Sequence, residues 1–326
     1  MTKHLRKKQF NTCFSLGVAI LLIAVFALIE PRFLNAANIG NLLSDTAPLM
    51  IMAAGMTPIL LLGSIDLSVG AMCSVANVMV ISVLMRFQNT IFTDLTAVAV
   101  SFGLTLLFAT VAGVALGIIH VKMKVPSFIA SLAFMSIWAS AALLISSASI
   151  SLPRALWGTV AWFNLSIGPL GLPLLLALLV IAGYHILLTR TPFGRGVYAI
   201  GGNERTARLS GIPVDRIKIA VFAISGFCTA LGAIFLMAQA RSAAPTAGNA
   251  FTLMVISAVV LGGTPLVGGV GSVLNTVLGV FIITLIQNGM NIIGVDIFWQ
   301  QIVYGFTILA AIALNTDRSS RSLMVK

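Results

Sequence analysis

The sequence predicts an all-α, polytopic membrane helix bundle, and three observations carry that reading. Hydrophobic residues make up 59% of the 326-residue chain and charged residues only 8%, against about 25% charged in a soluble globular domain. The mean hydropathy is +1.08. The apolar residues gather in ten runs near the ~20 residues a spanning helix needs, without the alternation of a membrane barrel strand.

In chain order the runs are 12–29, 47–63, 67–85, 95–119, 127–147, 170–189, 217–240, 251–267, 271–290 and 297–314. The basic stretch MTKHLRKKQF leads into the first of them. That run is longer than the ~7–15-residue apolar region of a cleaved signal peptide, so it reads as a retained span. Two pairs, 47–63 with 67–85 and 251–267 with 271–290, are separated only by Gly-rich turns. One member of either pair could be re-entrant. The turns echo each other as LLLGSIDLSVGA (Leu60–Ala71) and VLGGTPLVGGVGS (Val260–Ser272). That is either a trace of duplicated halves, common in transporters, or a chance likeness of two Gly-rich turns.

Charge sets the expected topology. The net charge is +11, but the basic residues sit in short loops and tails, which is the positive-inside pattern and not a nucleic-acid surface. With the N-terminus inside, the inner segments are 1–11, 64–66, 120–126, 190–216 (with Lys218 at its edge), 268–270 and 315–326. They hold fifteen of the nineteen Lys and Arg residues. Only Arg32, Arg86, Arg154 and Arg241 fall outside. Both termini are therefore expected in the cytoplasm, with one transmembrane domain over 1–326.

The largest polar module, RTPFGRGVYAIGGNERTARLSGIPVDR (190–216), then faces the cytoplasm. Asn203 can cap a short helix. Glu204 suits its positive end and Arg208 its negative end, and the two form an i, i+4 pair. Gly201 and Gly202 precede the helix. Gly211 suits the position just past it, and Pro213 stops continuation. Ala207, Ser210 and Gly211 offer a small, smooth face. Such a helix is marginal in water without a partner. The residues alone fit either a plug for a groove in another protein or an ordinary solvated loop.

Four ordered motifs, GSIDLSVG (Gly63–Gly70), VYAIGGNERTARLSGI (Val197–Ile212), PTAGNAFTLMVISAVVLGGTPLVGGVGS (Pro245–Ser272) and LIQNGMNIIGV (Leu285–Val295), make the chain resemble the permease subunits of bacterial ABC importers of the ribose type. The likeness runs from about Asn41 to Asn315. It implies a subunit of the bacterial cytoplasmic membrane that works with separate ABC ATPase subunits, a periplasmic or lipid-anchored solute-binding protein and a second permease subunit, identical or paralogous. It implies a small polar cargo, a monosaccharide by family weight. It also implies that Gly201, Gly202, Asn203, Glu204, Arg205, Ala207, Arg208, Leu209 and Gly211 dock into the ATPase. One departure stands out. Thr252 and Met254 occupy positions where the family usually carries acidic residues.

No chemistry of the chain's own is visible. There is no GxxxxGK[ST], HExxH or GxSxG sequence. His4, His120 and His185 are scattered. Cys13, Cys73 and Cys228 lie inside apolar runs without disulfide or metal spacing. No cofactor, metal or catalytic residue is expected. The rival readings are an ion-coupled carrier and a non-transporting scaffold. Carriers keep ionisable groups inside the membrane, and the nearest candidate is Asp66, which with Ser68 reads first as a helix cap. For the path itself the candidates are Asp66, Ser68, Gln287, Asn288, Asn291, Gly262 and Gly263. Gln287 and Asn291 share a helix face with Asn288 beside it. The glycines serve either close packing or a broken helix lining the path. In the outer loop, Trp157, Trp162 and Phe163 are interfacial anchors or contacts for a binding protein.

Overall fold

In the computed structural model, which describes residues 2–88, 94–167 and 170–315, each of the ten apolar runs contains a helix. The helices are α1 (Thr2–Ile29), α2 (Ala36–Leu61), α3 (Val69–Gln88), α4 (Asp94–Lys122), α5 (Ser127–Ile145), α6 (Leu172–Arg190), α7 (Pro192–Gly202), α8 (Glu204–Leu209), α9 (Val214–Ala240), α10 (Phe251–Leu261), α11 (Val273–Ile292) and α12 (Ile297–Asn315). Seven of them, α2–α6, α9 and α11, are long and apolar enough to cross a membrane. Three further apolar helical stretches, Ser15–Ile29, Phe251–Leu261 and Ile297–Ala313, are shorter. Nearly all of the predicted tail 315–326 lies outside the described residues, while α1 reaches back through the predicted tail 1–11 to Thr2.

Three boundaries move for identifiable reasons. Helix α2 begins eleven residues before the apolar run, because Asn35 caps it by accepting from the Ala37 amide. The added turns carry Asn38, Asn41, Ser44 and Asp45, which a hydropathy reading passes over. This places Asp45 inside a helix, where it accepts from the Gln239 amide of α9. Helix α10 stops at Leu261, well short of the expected residue 267, because Gly263 adopts a positive φ of 85° and Pro265 follows. Helix α7 was not foreseen. Thr191 caps it, Pro192 occupies its first position, and Val197 and Ile200 are buried.

Helix α2 is the central post. Its residues from Thr46 to Leu61 are all buried, and it packs against α6, α9, α10 and α11. Helix α4 lies along α9, and α5 covers α3. The two turns that echo each other in sequence are also built alike. Gly63 and Ser64 donate backbone hydrogen bonds to Leu60 and Ile59, and Gly263 and Thr264 donate to Val260 and Val259. The turns meet, with the Gly269 amide 2.8 Å from the Leu61 carbonyl.

This meeting point defines one end of the bundle, which also carries α7 and α8. The opposite end carries two-residue strands: β1 (Ile150–Ser151), β2 (Ser166–Ile167), β3 (Leu170–Gly171) and β4 (Ser242–Ala243). Strand β1 pairs antiparallel with β4, and β2 with β3. A 3₁₀ segment, Arg154–Asn164, lies beside them. Its Trp162 and Phe163 pack edge-on against Phe235 of α9, at 5.1 and 6.2 Å between ring centroids.

Candidate functional site

The α8 end is assembled from short polar signals. Asn203 accepts from the Thr206 amide at 3.0 Å, so the expected cap starts α8, which runs six residues to Leu209. Gly211 follows with a φ of 79°, and Pro213 immediately precedes α9. The expected Glu204–Arg208 pair forms at 3.4 Å, as one member of a larger clamp. Lys218 of α9 donates to Glu204 at 2.7 Å, and Arg208 donates to Asp215 of α9 at 2.8 Å. Lys122, at the end of α4, stands 3.8 Å from Asp215. Burial acts to raise the Glu204 carboxyl, but Lys218 and Arg208 outweigh it and hold that carboxyl below its ordinary value.

The clamp decides which side chains face outward. The smooth outward face expected from Ala207, Ser210 and Gly211 is only partly present. Ala207 is buried against the bundle, since α8 uses its smallest residue to approach α9. Arg205 is exposed and Leu209 is 83% exposed. Arg205 and Leu209, four residues apart, share the outward face of α8. Gly202 is exposed, whereas Gly201 is wedged against backbone from both echoing turns.

Four residues expected along the path, Asp66, Ser68, Asn288 and Asn291, spend polar groups inside the chain. Asp66 accepts from the amide and hydroxyl of Ser68 at 2.8 and 2.6 Å, an Asx turn immediately before α3 rather than a cap on the helix's own amides. Asn288 is buried and exchanges two hydrogen bonds with Asn38, at 2.9 and 3.0 Å. Asn291 accepts from Gln300 at 2.8 Å, so its amide and that of Asn288 serve different neighbours. Gln287 is half-buried on the same helix. A Cβ at Gly262 would lie 2.7 Å from the Asn275 carbonyl, which is the close-packing arrangement, and Gly263 provides the turn. Among the described residues no three His, Cys, Asp or Glu side chains are placed to hold a metal.

Sequence reasoning missed a different element. Residues 244–250 read as outer loop, yet they lie against the interior of α3. The Ala244 amide donates to Asn77 at 3.0 Å and the Gly248 amide to Ser74 at 2.9 Å. Thr252 accepts from the Gly70 amide at 3.0 Å. So Thr252, one of the two departures from the family pattern, caps the start of α3. Met254, the other, is buried. Pro245 and Gly248, with polar Thr246 and Asn249 between two apolar runs, were the available signal for a break.

The opposite end carries a cationic cluster. Trp157 is partly exposed and lies between two guanidinium groups, that of Arg241 at 4.6 Å and that of Arg154 at 5.9 Å from its ring centroid. Arg241 ends α9 in the left-handed region, with φ 49° and ψ 31°, where glycine or asparagine is at home.

Comparison with known proteins supplies the family. The family model described as the permease component of branched-chain amino acid transport systems matches residues 38–312. The chain belongs to this permease family. The permease is 37% identical to the ribose import permease protein RbsC of Bacillus subtilis over 310 residues, 94% of this chain and 92% of that one. It is 35% identical to RbsC of Escherichia coli K12, covering 93% of each. It is 31% identical to the xylose transport system permease protein XylH of the same organism, covering 94% of each. No solved structure is similar. The permease is thus a multi-pass protein of the bacterial inner membrane, and permeases of this kind work with ATPase and binding-protein partners.

Proposed function

We propose that this permease forms the translocation path of an ATP-driven, binding-protein-dependent importer of a monosaccharide. The relatives carry ribose and xylose by name, and the chain has no phosphate-binding loop of its own, so ATP hydrolysis falls to separate subunits. Two permease copies, or this chain with a paralogue, flank the path. The α8 end is cytoplasmic and both termini lie on that side, in keeping with fifteen of nineteen basic residues in the segments assigned there. The other short apolar stretches complete about ten membrane elements.

The observation that carries this reading is the clamped helix. Glu204–Lys218 and Arg208–Asp215 tie α8 to α9, so a push on α8 is delivered to a 27-residue helix in the core. Arg205 and Leu209 remain for the ATPase, with Gly201, Gly202, Asn203, Ala207 and Gly211 shaping and seating the helix. At the opposite end, the Arg154–Trp157–Arg241 cluster presents two cations to acidic side chains of the binding protein.

Capture of the ATPase by detergent-solubilised permease tests the reading. Arg205→Glu/Leu209→Asp is expected to release the ATPase while the permease stays folded. Arg208→Ala is expected to weaken capture less and to loosen α8 instead. If wild-type permease captures no ATPase, the importer reading falls. If Arg205→Glu/Leu209→Asp captures it normally, the docking face is elsewhere.

A further inference from the structure

The chain between β4 and α10 is non-helical, and it has two faces. One face is Ala244, Gly248 and Thr252, spaced by four residues. These three meet Asn77, Ser74 and Gly70 of α3, in a zipper of hydrogen bonds at 2.9–3.0 Å. The other face is Thr246, Asn249 and Leu253, spaced by three and four, and all three are exposed. Among the described residues, the side chains of Thr246 and Asn249 make no hydrogen bond.

The zipper fixes the depth. Asn77 and Ser74 lie inside α3, about 8–12 Å from its α8 end at 1.5 Å per residue. Asn77 also donates to the Ala233 carbonyl of α9 at 3.2 Å, so its level is shared by a second spanning helix. From the zipper, the eleven residues of α10 run only about 16 Å to the glycine turn. Residues 244–250 therefore lie within the span, not at its surface.

Irregular backbone inside a membrane is tolerated only where protein buries it or water reaches it, because lipid cannot satisfy its amides and carbonyls. Protein satisfies the α3 face. For the opposite face, an exposed hydroxyl and an exposed carboxamide at this depth exclude lipid as the neighbour on the same ground.

We infer that Thr246, Asn249 and Leu253 line the aqueous path, and that Asn249 and Thr246 form its hydrogen-bonding constriction for a neutral, hydroxyl-bearing solute. This rests on the import reading and deepens it. A carboxamide and a hydroxyl offer donors and acceptors to sugar hydroxyls, and neither holds a charge that would retain the solute. The half-helix α10 starts at the constriction and ends at the glycine turn against which Gly201 of α7 is seated. The constriction is thus one short helix away from the ATPase end.

Cysteine accessibility tests this in right-side-out vesicles holding permease, ATPase and the ribose-type binding protein, with Cys13, Cys73 and Cys228 replaced by serine. Asn249→Cys and Thr246→Cys are each treated with a membrane-impermeant, negatively charged thiosulfonate, beside Ile137→Cys on the exposed side of α5. Modification of Asn249→Cys or Thr246→Cys that blocks uptake and changes when ATP is trapped on the ATPase is the expected result, with Ile137→Cys untouched. Reaction only with a lipid-soluble maleimide, as for Ile137→Cys, would place the segment against lipid and overturn the inference. An interchain disulfide that forms in every nucleotide state, with no aqueous labelling, would make the face a fixed subunit contact and equally overturn it. Capture of the ATPase by each variant shows that it is folded. If the parent chain shows no ATP-driven uptake, the import reading fails on its own, while the labelling pattern still reports whether water reaches Asn249.

Discussion

Gly201 and Gly202 are adjacent residues at the end of α7, and the structure gives them opposite futures. A Cβ at Gly201 would overlap the Leu61 carbonyl oxygen and stand 2.7 Å from the Gly269 amide nitrogen. Those two groups are themselves hydrogen-bonded at 2.8 Å, joining the turn after α2 to the turn before α11. Gly201→Ala must therefore displace α7 or part the two turns. Overpacking costs about 1–3 kcal/mol, and loss of the hydrogen bond adds about 1 kcal/mol, for about 2–4 kcal/mol in all. At Gly202 an added Cβ meets nothing within 4 Å, so Gly202→Ala is neutral or stabilising by up to about 1 kcal/mol. Thermal unfolding in detergent can be followed by a thiol-reactive dye, because Cys73 and Cys228 are both buried and free. Gly201→Ala is expected to melt clearly below wild type and to lose ATPase capture, since α8 is carried on α7. Gly202→Ala is expected to match or exceed wild type in both assays. If Gly201→Ala melts with wild type, or both variants lose stability equally, the three-way crossing of α7 with the two turns is refuted.

Four further outcomes follow from named contacts. Asn77→Leu strands the Ala244 amide at about 1–3 kcal/mol and removes a second hydrogen bond from the Ala233 carbonyl, which keeps its helix partner; melting should drop, and a wild-type melting curve would contradict the zipper. Arg241→Gly relieves a left-handed residue of roughly 1–2 kcal/mol, so it should melt no lower than wild type while losing stimulation by the binding protein; a large loss of stability with intact stimulation would assign Arg241 to packing alone. The Glu204 carboxyl is held below its ordinary value of about 4.3 in the folded state, so its ion pairs contribute fully above that pH and are lost only as pH falls through the lowered value. ATPase capture should accordingly be flat between about pH 8 and 5.5, and a midpoint near 6 would point to a histidine instead. Arg208→Ala frees Asp215 and Glu204 from their shared partner, and should raise proteolytic cleavage in the Gly202–Pro213 stretch without lowering the melting temperature.

The sequence showed most where one period or one cap decides the structure. The apolar runs located the long helices, and Asn203, Gly211 and Pro213 marked α8 and its limits. What stayed hidden was set by partners distant in the chain. Helix α7 carries Gly194, Gly196, Gly201 and Gly202, which argue against helix locally. It forms because Gly194, Gly196 and Gly201 let its backbone pack close, with Val197 and Ile200 turned inward. Arg208 looked free for an ATPase because Asp215 lies seven residues away, beyond the reach of an i, i+4 rule. The segment 244–250 looked like an outer loop because hydropathy places polar residues in water. Asn77 and Ser74, more than 165 residues earlier, satisfy its backbone inside the span.

Helix α9 is the member common to all three surfaces. Its first turn holds α8 through Asp215 and Lys218, its Ala233 carbonyl accepts from Asn77, and its end places Arg241 over Trp157. Whether α9 can carry motion between them depends on whether it bends or moves whole. Its contact with α4 favours movement as a unit. A Cβ at Gly226 would overlap the Ala109 carbonyl, and one at Gly113 would overlap the Phe222 carbonyl, so the two backbones touch at successive levels. Helices so closely packed resist sliding past one another. A displacement of α8 therefore moves α4 and α9 together and strains the weaker attachments first. The zipper at residues 244–252, held to α3 by three hydrogen bonds, is the attachment expected to give first.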